Sequence, residues 1–392
     1  MPRDFVLGTH QAIPMRFDKG FDPAAAVLAI KQRKRVIVDG YAKPDNVMGI
    51  LQSLTTLVPL AGLWLLVAIG TPVSYVVPAV ASVAMVFFLL RVFALMHECG
   101  HASLFQSPRL NVLFGFVFGV ISGMPQYVWS AHHKVHHATN GNWDRYRGPL
   151  AILSVNEYDA LTSPQQRAYA RARNIGMAPL AGFLYVILNP RLTWLKGTAK
   201  LVWHVARMKW IQPSVAIRVH FANFRTPHWK SAAEYRHMTL NNLVLLGSWA
   251  LMSWLIGPVL FFVVYLVSTS LAGAAGIVLF TVQHNFEHSY ASGDENWDYD
   301  QAAIHGTSFL VLPAWLNWFT ANIGYHHVHH LSSRIPNHRL VACHLEHESL
   351  FADVQRLNLS DIAASLKFVL WDTQTRQLIS VAEHARSAAR PA

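Results

Sequence analysis

Residues 47–90 contain no Asp, Glu, Lys or Arg, and neither do residues 241–283. One bilayer-spanning helix takes about 20 apolar residues, so each stretch is long enough for two. Gly70-Thr71-Pro72 interrupts the first and Gly257-Pro258 the second, and both are stop-and-restart signals for helices. The pattern predicts spans at 47–69, 73–95, 241–256 and 259–280, paired as two hairpins. Both ends of a hairpin emerge on the same side. The hairpin tips lack Lys and Arg, whereas residues 1–46, the segment from Arg145 to Arg236 and the C-terminal tail are rich in them. Basic flanks face the cytoplasm. The expected fold is therefore an all-α integral membrane protein with four transmembrane helices, cytoplasmic termini and its hydrophilic parts on one face.

Two further apolar stretches complicate the count. Leu110 to Trp129 is interrupted by Gly115, Gly119, Gly123 and Pro125, which predicts a re-entrant or surface-lying pair of short helices. Ile175 to Leu188 is nearly long enough to span. Met1 to Pro44 mixes acids, bases and prolines without an apolar core, so no signal peptide is expected there. Residues 1–46 read as a cytosolic N-terminal region, 47–350 as a membrane domain and 351–392 as a cytosolic tail, loose from Ser387 to Ala392.

Composition agrees with a membrane protein and adds one feature. Only 14% of the 392 residues are charged while 53% are hydrophobic; a soluble domain carries roughly 25% charged residues. The net charge of +11 flanks the predicted spans, so it suits anionic lipid or an acidic partner, and nucleic acid is not expected. Two cysteines exclude a disulfide framework. The outlying count is 22 histidines.

Ten of these fall into three clusters, eight of them at the spacing of ligands on one helix face. His97-Glu98-Cys99-Gly100-His101 closes the second predicted span, His132-His133-Lys134-Val135-His136-His137 follows the re-entrant stretch, and His326-His327-Val328-His329-His330 lies beyond the fourth span. Helical residues three and four apart share a face. His97 with His101, His133 with His136 and His137, and His326 with His329 and His330 can each grip one site. Imidazoles crowded at a membrane boundary repel when protonated and lack partners when neutral. A metal ion removes that penalty, because neutral imidazole ligates Zn, Fe, Cu and Ni. Eight ligands exceed the three or four of a zinc site and suit two neighbouring ions with positions left open. Ligand type alone does not choose iron over zinc.

Boxes of the form H-x3-H, H-x2-H-H and H-x2-H-H, with a membrane hairpin before the third, resemble those of the membrane fatty acid desaturases. The likeness is greatest to bacterial and plant acyl-lipid desaturases of the Δ12 (ω-6) type. It extends to Trp129, to Thr139-Asn140-Gly141-Asn142-Trp143-Asp144-Arg145, and to Val282-Gln283-His284-Asn285-Phe286-Glu287. It also takes in Asn322-Ile323-Gly324-Tyr325-His326 and Leu331-Ser332-Ser333-Arg334-Ile335-Pro336-Asn337. The resemblance implies a non-haem di-iron centre beneath a cytosolic helical cap, and a ninth ligand between the fourth span and the third box. His284 is the expected ninth, ahead of His288 and His305. His132 and His327 fall where the pattern tolerates other residues and are expected to be partners of ligands or incidental. No catalytic side chain beyond the ligands is implied. The implied reaction takes O2 and two electrons from a separate ferredoxin-like or cytochrome b5-like protein, and places a double bond in a fatty acyl lipid. A bacterial cytoplasmic membrane is the implied location. The glycine-containing spans and Gly306 to Phe319 are the expected walls of an acyl slot.

Other readings compete. The first cluster is also an H-E-x-x-H match, in which Glu98 would serve a zinc protease as general base, but that site leaves two boxes without purpose. Glu98 is instead expected to orient a ligand imidazole. Related hydroxylases and ketolases of hydrocarbons or carotenoids use boxes of different spacing. Metal transporters place ligands at mid-membrane depth, whereas these boxes lie at one end of the spans. Neither a nucleotide-binding glycine fingerprint nor a His-Pro-Gly-Gly haem signature is present.

Overall fold

The computed structural model describes residues 23–148 and 151–388. The expected N-terminal region therefore lies partly outside the described residues, as does most of the expected loose tail. Helix α1 (Pro23–Tyr41) leads into α2 (Asn46–Gly70), which starts where the Asp45 carboxylate accepts the Met48 N–H. Residues 71–75 make the turn, and α3 (Val76–Gly100) continues five residues past the predicted span, through His97, the first histidine of box one. The second hairpin pairs helices Ala232–Ile256 and Pro258–Val282. The first of these begins before residue 241 because Ser231 caps it at Glu234, adding a charged turn ahead of the apolar run. Gly257 sits at φ +83° between them; the left-handed backbone suits glycine, and Pro258 then fits the first helical turn.

The two hairpins pack along α3 and Pro258–Val282 around Val92, Met96, Phe261 and Val264, all buried. Helices α4 (Pro108–Ile121) and α5 (Gln126–Thr139) meet at 103°. The expected pair of short helices is present, and its sharp return brings box two back beside box one. Gly123 at the bend adopts φ +75°.

Among the described residues, five helices are long and apolar enough to cross a membrane, by length and composition. Four match the predicted spans, and the fifth is Ile175–Ile211. The predicted apolar run Ile175 to Leu188 is only its first part. The backbone passes without a break through a π turn at Phe183–Leu188 into Asn189–Ile211. Arg191 holds this irregular turn together: it donates to the carbonyls of Val186 and Ile187 at 3.0 and 3.1 Å and to the Asn242 side chain at 2.8 Å. The helix crosses Pro258–Val282 so closely at Gly182 that a Cβ there would lie 2.3 Å from the Ser270 carbonyl oxygen. Small residues permit such approaches between membrane helices. Gly182→Leu should therefore cost about 1–3 kcal/mol or more and lower the melting temperature followed by tryptophan fluorescence in detergent. An unchanged melt would mean that the helices do not depend on this crossing.

Among the described residues, five short strands depart from the all-helical expectation. Strands β1 (Leu153–Ser154), β4 (Phe368–Asp372) and β5 (Gln377–Ser380) form one sheet in the order β1-β4-β5, and β2 (Ser308–Leu310) pairs in parallel with β3 (Gln355–Leu357). Runs of two to five residues are too short to declare a two-residue period. Through them, residues beyond 351 tie into the hydrophilic side of the fold, and the Asn285 side chain donates to the Phe368 carbonyl at 3.1 Å.

Candidate metal centre

The nine histidines come together from four separate stretches of chain. His97 and His101 stand one turn apart at the end of α3, and their Nε2 atoms are 3.2 Å apart. On α5, His133 and His137 repeat the arrangement at 3.0 Å. The short helix His326–Leu331 brings its ring nitrogens onto these: His329 Nε2 lies 3.0 Å from His137 Nε2, and His330 Nε2 lies 3.2 Å from His136 Nε2. His284 follows Pro258–Val282 in a turn and places its Nε2 3.0 Å from that of His326. Two adjoining groups result. One holds His97, His101, His133, His137 and His329, and the other holds His136, His284, His326 and His330; within each, the ligand atoms lie within 4.8 Å of one another. His137 and His330 stack across the boundary with centroids 4.2 Å apart.

Hydrogen bonding among the rings does not satisfy this arrangement. Burial, reinforced by neighbouring imidazoles, drives His133, His136, His137, His326, His329 and His330 well below the ordinary histidine range, and burial brings His284 down to about 4. Neutral imidazole has one N–H. His284 Nδ1–H donates to the Gly306 carbonyl at 3.1 Å, so its Nε2 presents a lone pair to the group. His97 Nδ1 lies 3.2 Å from Glu98 Oε1, which fixes the same tautomer. The Nδ1 atoms of His136, His137, His326 and His329 are buried without a protein partner. Nine ring nitrogens converge here, His97 and His284 with their Nε2 lone pairs turned inward; such a cluster is a donor set for cations, and the residues present fit two metal ions.

Glu98 is taken up by structural contacts. Besides His97, its carboxylate accepts the Ser103 hydroxyl and the Asn337 N–H, each at 3.0 Å. This is the geometry of an orienting acid. Of the three candidates for the ninth histidine, only His284 joins a group; His288 meets the Gln377 side chain at 3.3 Å, and His305 lies outside both groups. His132 is exposed, and His327 turns away to bond His344 at 2.8 Å.

A cavity of about 1080 Å³ opens from this centre between α3, α5 and Pro258–Val282. His97, His133, His136 and His326 form its polar end, and Leu89, Phe93, Trp129, Gly276, Ile277 and Phe280 wall the rest. Trp129 stacks on His133 with centroids 4.6 Å apart. The expected wall Gly306–Phe319 does not line it; Thr320, Ala321 and Ile323 do.

Residues 72–358 match the model of the fatty acid desaturase family. The chain belongs to this family. It is 36% identical to a fatty acid desaturase of Bacillus subtilis (strain 168) over 344 residues, 88% of each chain. It is 21% identical to an sn-1 oleoyl-lipid 12-desaturase of Anabaena variabilis over 63% of this chain and 62% of the relative. A 76-residue stretch, 19% of this chain and 16% of the relative, is 30% identical to an oleate hydroxylase of Claviceps purpurea. The protein is thus a fatty acid desaturase, an oxidoreductase of fatty acyl substrates with several membrane-type helices.

Sequence reasoning missed part of what supports the desaturase centre. Asn337, whose N–H holds Glu98, exchanges two side-chain hydrogen bonds with Gln52 of α2, at 2.7 and 3.1 Å. One turn on, Thr56 accepts from Arg91 at 3.0 Å, and the Arg91 guanidinium lies 3.8 Å from the Trp318 ring centroid. The signal was available: Arg91 is the one Arg or Lys inside α3, and charges within a span mark a partner. Gln52 and Thr56, four apart in an uncharged run, face that partner.

Proposed function

We propose that the two imidazole groups hold two iron ions and that the desaturase removes one hydrogen from each of two adjacent methylenes of an acyl chain lying in the cavity. The observation that carries this reading is the pair of adjoining nitrogen groups at the polar end of an apolar cavity. Overall, –CH2–CH2– with O2, two electrons and two protons gives –CH=CH– and two waters. Iron supplies the oxygen activation that breaking an unactivated C–H bond requires, because no side-chain acid or base can do it. The nine histidines act as ligands. Glu98 and the Gly306 carbonyl hold His97 and His284 in the tautomer that offers Nε2, and Trp129 and Phe280 exclude water beside the rings. Both electrons come from a separate ferredoxin-like or cytochrome b5-like protein. The test is gas chromatography of lipids from a host expressing the gene, with iron measured in the purified protein. About two irons per chain and a new double bond are expected; a hydroxylated product would favour the reading that the Claviceps relative suggests. Full activity in a zinc-only preparation would remove iron from the reading.

In the bilayer, four helices span: α2, α3, Ala232–Ile256 and Pro258–Val282. Ile175–Ile211 lies along the cytoplasmic interface, since its second half carries Lys196, Lys200, Arg207 and Lys209 beside Trp203 and Trp210, which are 63% and 89% exposed. Exposed Trp with Lys and Arg is the composition of an interfacial helix. Residues 47–350 form the membrane domain, with the regions 1–46 and 351–392 on the cytoplasmic side of a bacterial inner membrane. Cysteine labels near Gly70 and Gly257 should react from the periplasm, and labels near Ser103 and Asn140 only from the cytoplasm. Opposite accessibility of Ser103 and Asn140 would break the common centre.

A further inference from the structure

The Ile175–Ile211 helix is irregular where it meets the cavity. A π turn such as that at Phe183–Leu188 takes up one residue more than an α turn and re-aims the side chains it contains. Single π turns inside longer helices tend to stand at functional positions. Two residues of this one, Tyr185 and Val186, line the cavity. Gly182, just ahead of the turn, lets it lie close: a Cβ there would come within 2.6 Å of the Ala274 nitrogen of Pro258–Val282. The turn grips α5 at two points. The first is the bend before α5, where the Gly123 carbonyl accepts the Arg191 guanidinium that also serves the Val186 and Ile187 carbonyls and is braced by the buried Asn242 side chain. The second lies within α5, where the Trp129 indole N–H donates to the Tyr185 hydroxyl at 3.0 Å. Trp129 is four residues, about one turn, ahead of His133, and its ring lies 17° from parallel with that imidazole, at 4.6 Å between centroids. The same indole meets His97 edge-on at 5.8 Å and Phe93 at 5.2 Å. It therefore touches one ligand ring of box one and one of box two.

We propose that Tyr185 is a positioning residue of the desaturase: through Trp129 it fixes the plane of the His133 imidazole, and the π turn is the local structure that presents it. This role rests on the reading of the histidine groups as a metal centre. A ligand ring has to be held within about 0.5 Å and 10–20° of its productive position. Glu98 does this for His97 and the Gly306 carbonyl for His284, each through Nδ1. For His133 the stacked indole takes that part. Stacking alone tolerates a range of ring offsets. The indole has one N–H, and its bond to the Tyr185 hydroxyl selects a single offset and carries it to His133. Because Arg191 ties the same turn to the bend at Gly123, the rotation of α5 about its axis is set from two points on one neighbouring helix. Tyr185 also lines the cavity, so the competing role is direct contact with the acyl chain.

Tyr185→Phe removes the hydroxyl and keeps the ring. In the holoenzyme in nanodiscs, kcat should fall about tenfold, the low end of what loss of a partner that orients a ligand costs, with KM for the acyl lipid and iron per chain nearly unchanged. Protein prepared with Co(II) in place of iron gives a readout that needs no turnover. Its visible d–d bands follow the arrangement of the ligands and should be displaced in the variant. Trp129→Phe keeps a ring on His133 but has no N–H, and it should reproduce both effects. The double variant should be no worse than Trp129→Phe alone, because residues that act through one contact do not add. Additive losses in the double variant, or a change confined to KM, would overturn the positioning role and make Tyr185 a contact of the acyl chain. Cobalt bands identical to those of wild type would overturn it as well. Wild-type protein that takes up cobalt without the bands of nitrogen ligation would overturn the metal reading itself, and the role of Tyr185 with it.

Discussion

Replacing His136 or His329 with Ala should abolish double-bond formation while the protein still inserts in the membrane. His136 is one of only four ring nitrogens in its group, and His329 belongs to the group of five, where it approaches His137 at 3.0 Å. Loss of a partner that merely orients a ligand costs about 10–100-fold in metal affinity or activity; loss of the ligand itself should exceed that. Iron per chain should drop in both variants, and chromatography of host lipids should detect no product. His132→Ala is the control, because His132 sits on the same helix, is exposed and lies outside both groups. Normal activity in His136→Ala, with the group of four disabled, would reduce the centre to one ion.

Glu98→Ala should lower activity by about 10–100-fold without removing a ligand. The substitution deprives His97 of the carboxylate 3.2 Å from its Nδ1 and leaves the Asn337 N–H without its acceptor, while the Ser103 hydroxyl keeps the residue-98 carbonyl at 3.1 Å. Metal content should fall less than in His136→Ala. Glu98→Gln keeps one acceptor oxygen and should fall between wild type and Ala. If Glu98→Ala instead kept its full metal content and lost all turnover, Glu98 would be handling protons in the reaction, and its orienting role would be secondary.

The two hairpins were readable because a span must be almost free of charge, and the boxes because ligands on a helix recur at three and four residues. The division of the nine rings into five and four was not readable. His136 and His137 are neighbours in sequence yet serve different groups, as do His329 and His330. Consecutive helical residues point about 100° apart, so one short helix feeds two sites, and only the packing of α5 against His326–Leu331 decides which ring goes where. The fifth apolar helix was seen only as its first stretch, because its continuation through a π turn depends on Arg191 reaching carbonyls that the sequence does not mark. Beyond residue 351, β3 pairs with β2 and β4 with β1 across long stretches of chain, which leaves no local pattern, and the β4–β5 hairpin is too short to show a period. His284 was placed by family likeness; its spacing alone would have admitted His288 equally.

The order of the ligands along the chain also sets an order of assembly. His97, His101, His133, His136 and His137 leave the ribosome before the second hairpin is made, and His284, His326, His329 and His330 leave after it. A nascent chain that stops short of box three holds four members of one group but only His136 and His284 of the other. Neither group has all its members until box three arrives, and its arrival completes both together. A full set of ligands for the two proposed ions therefore exists only at the end of membrane insertion.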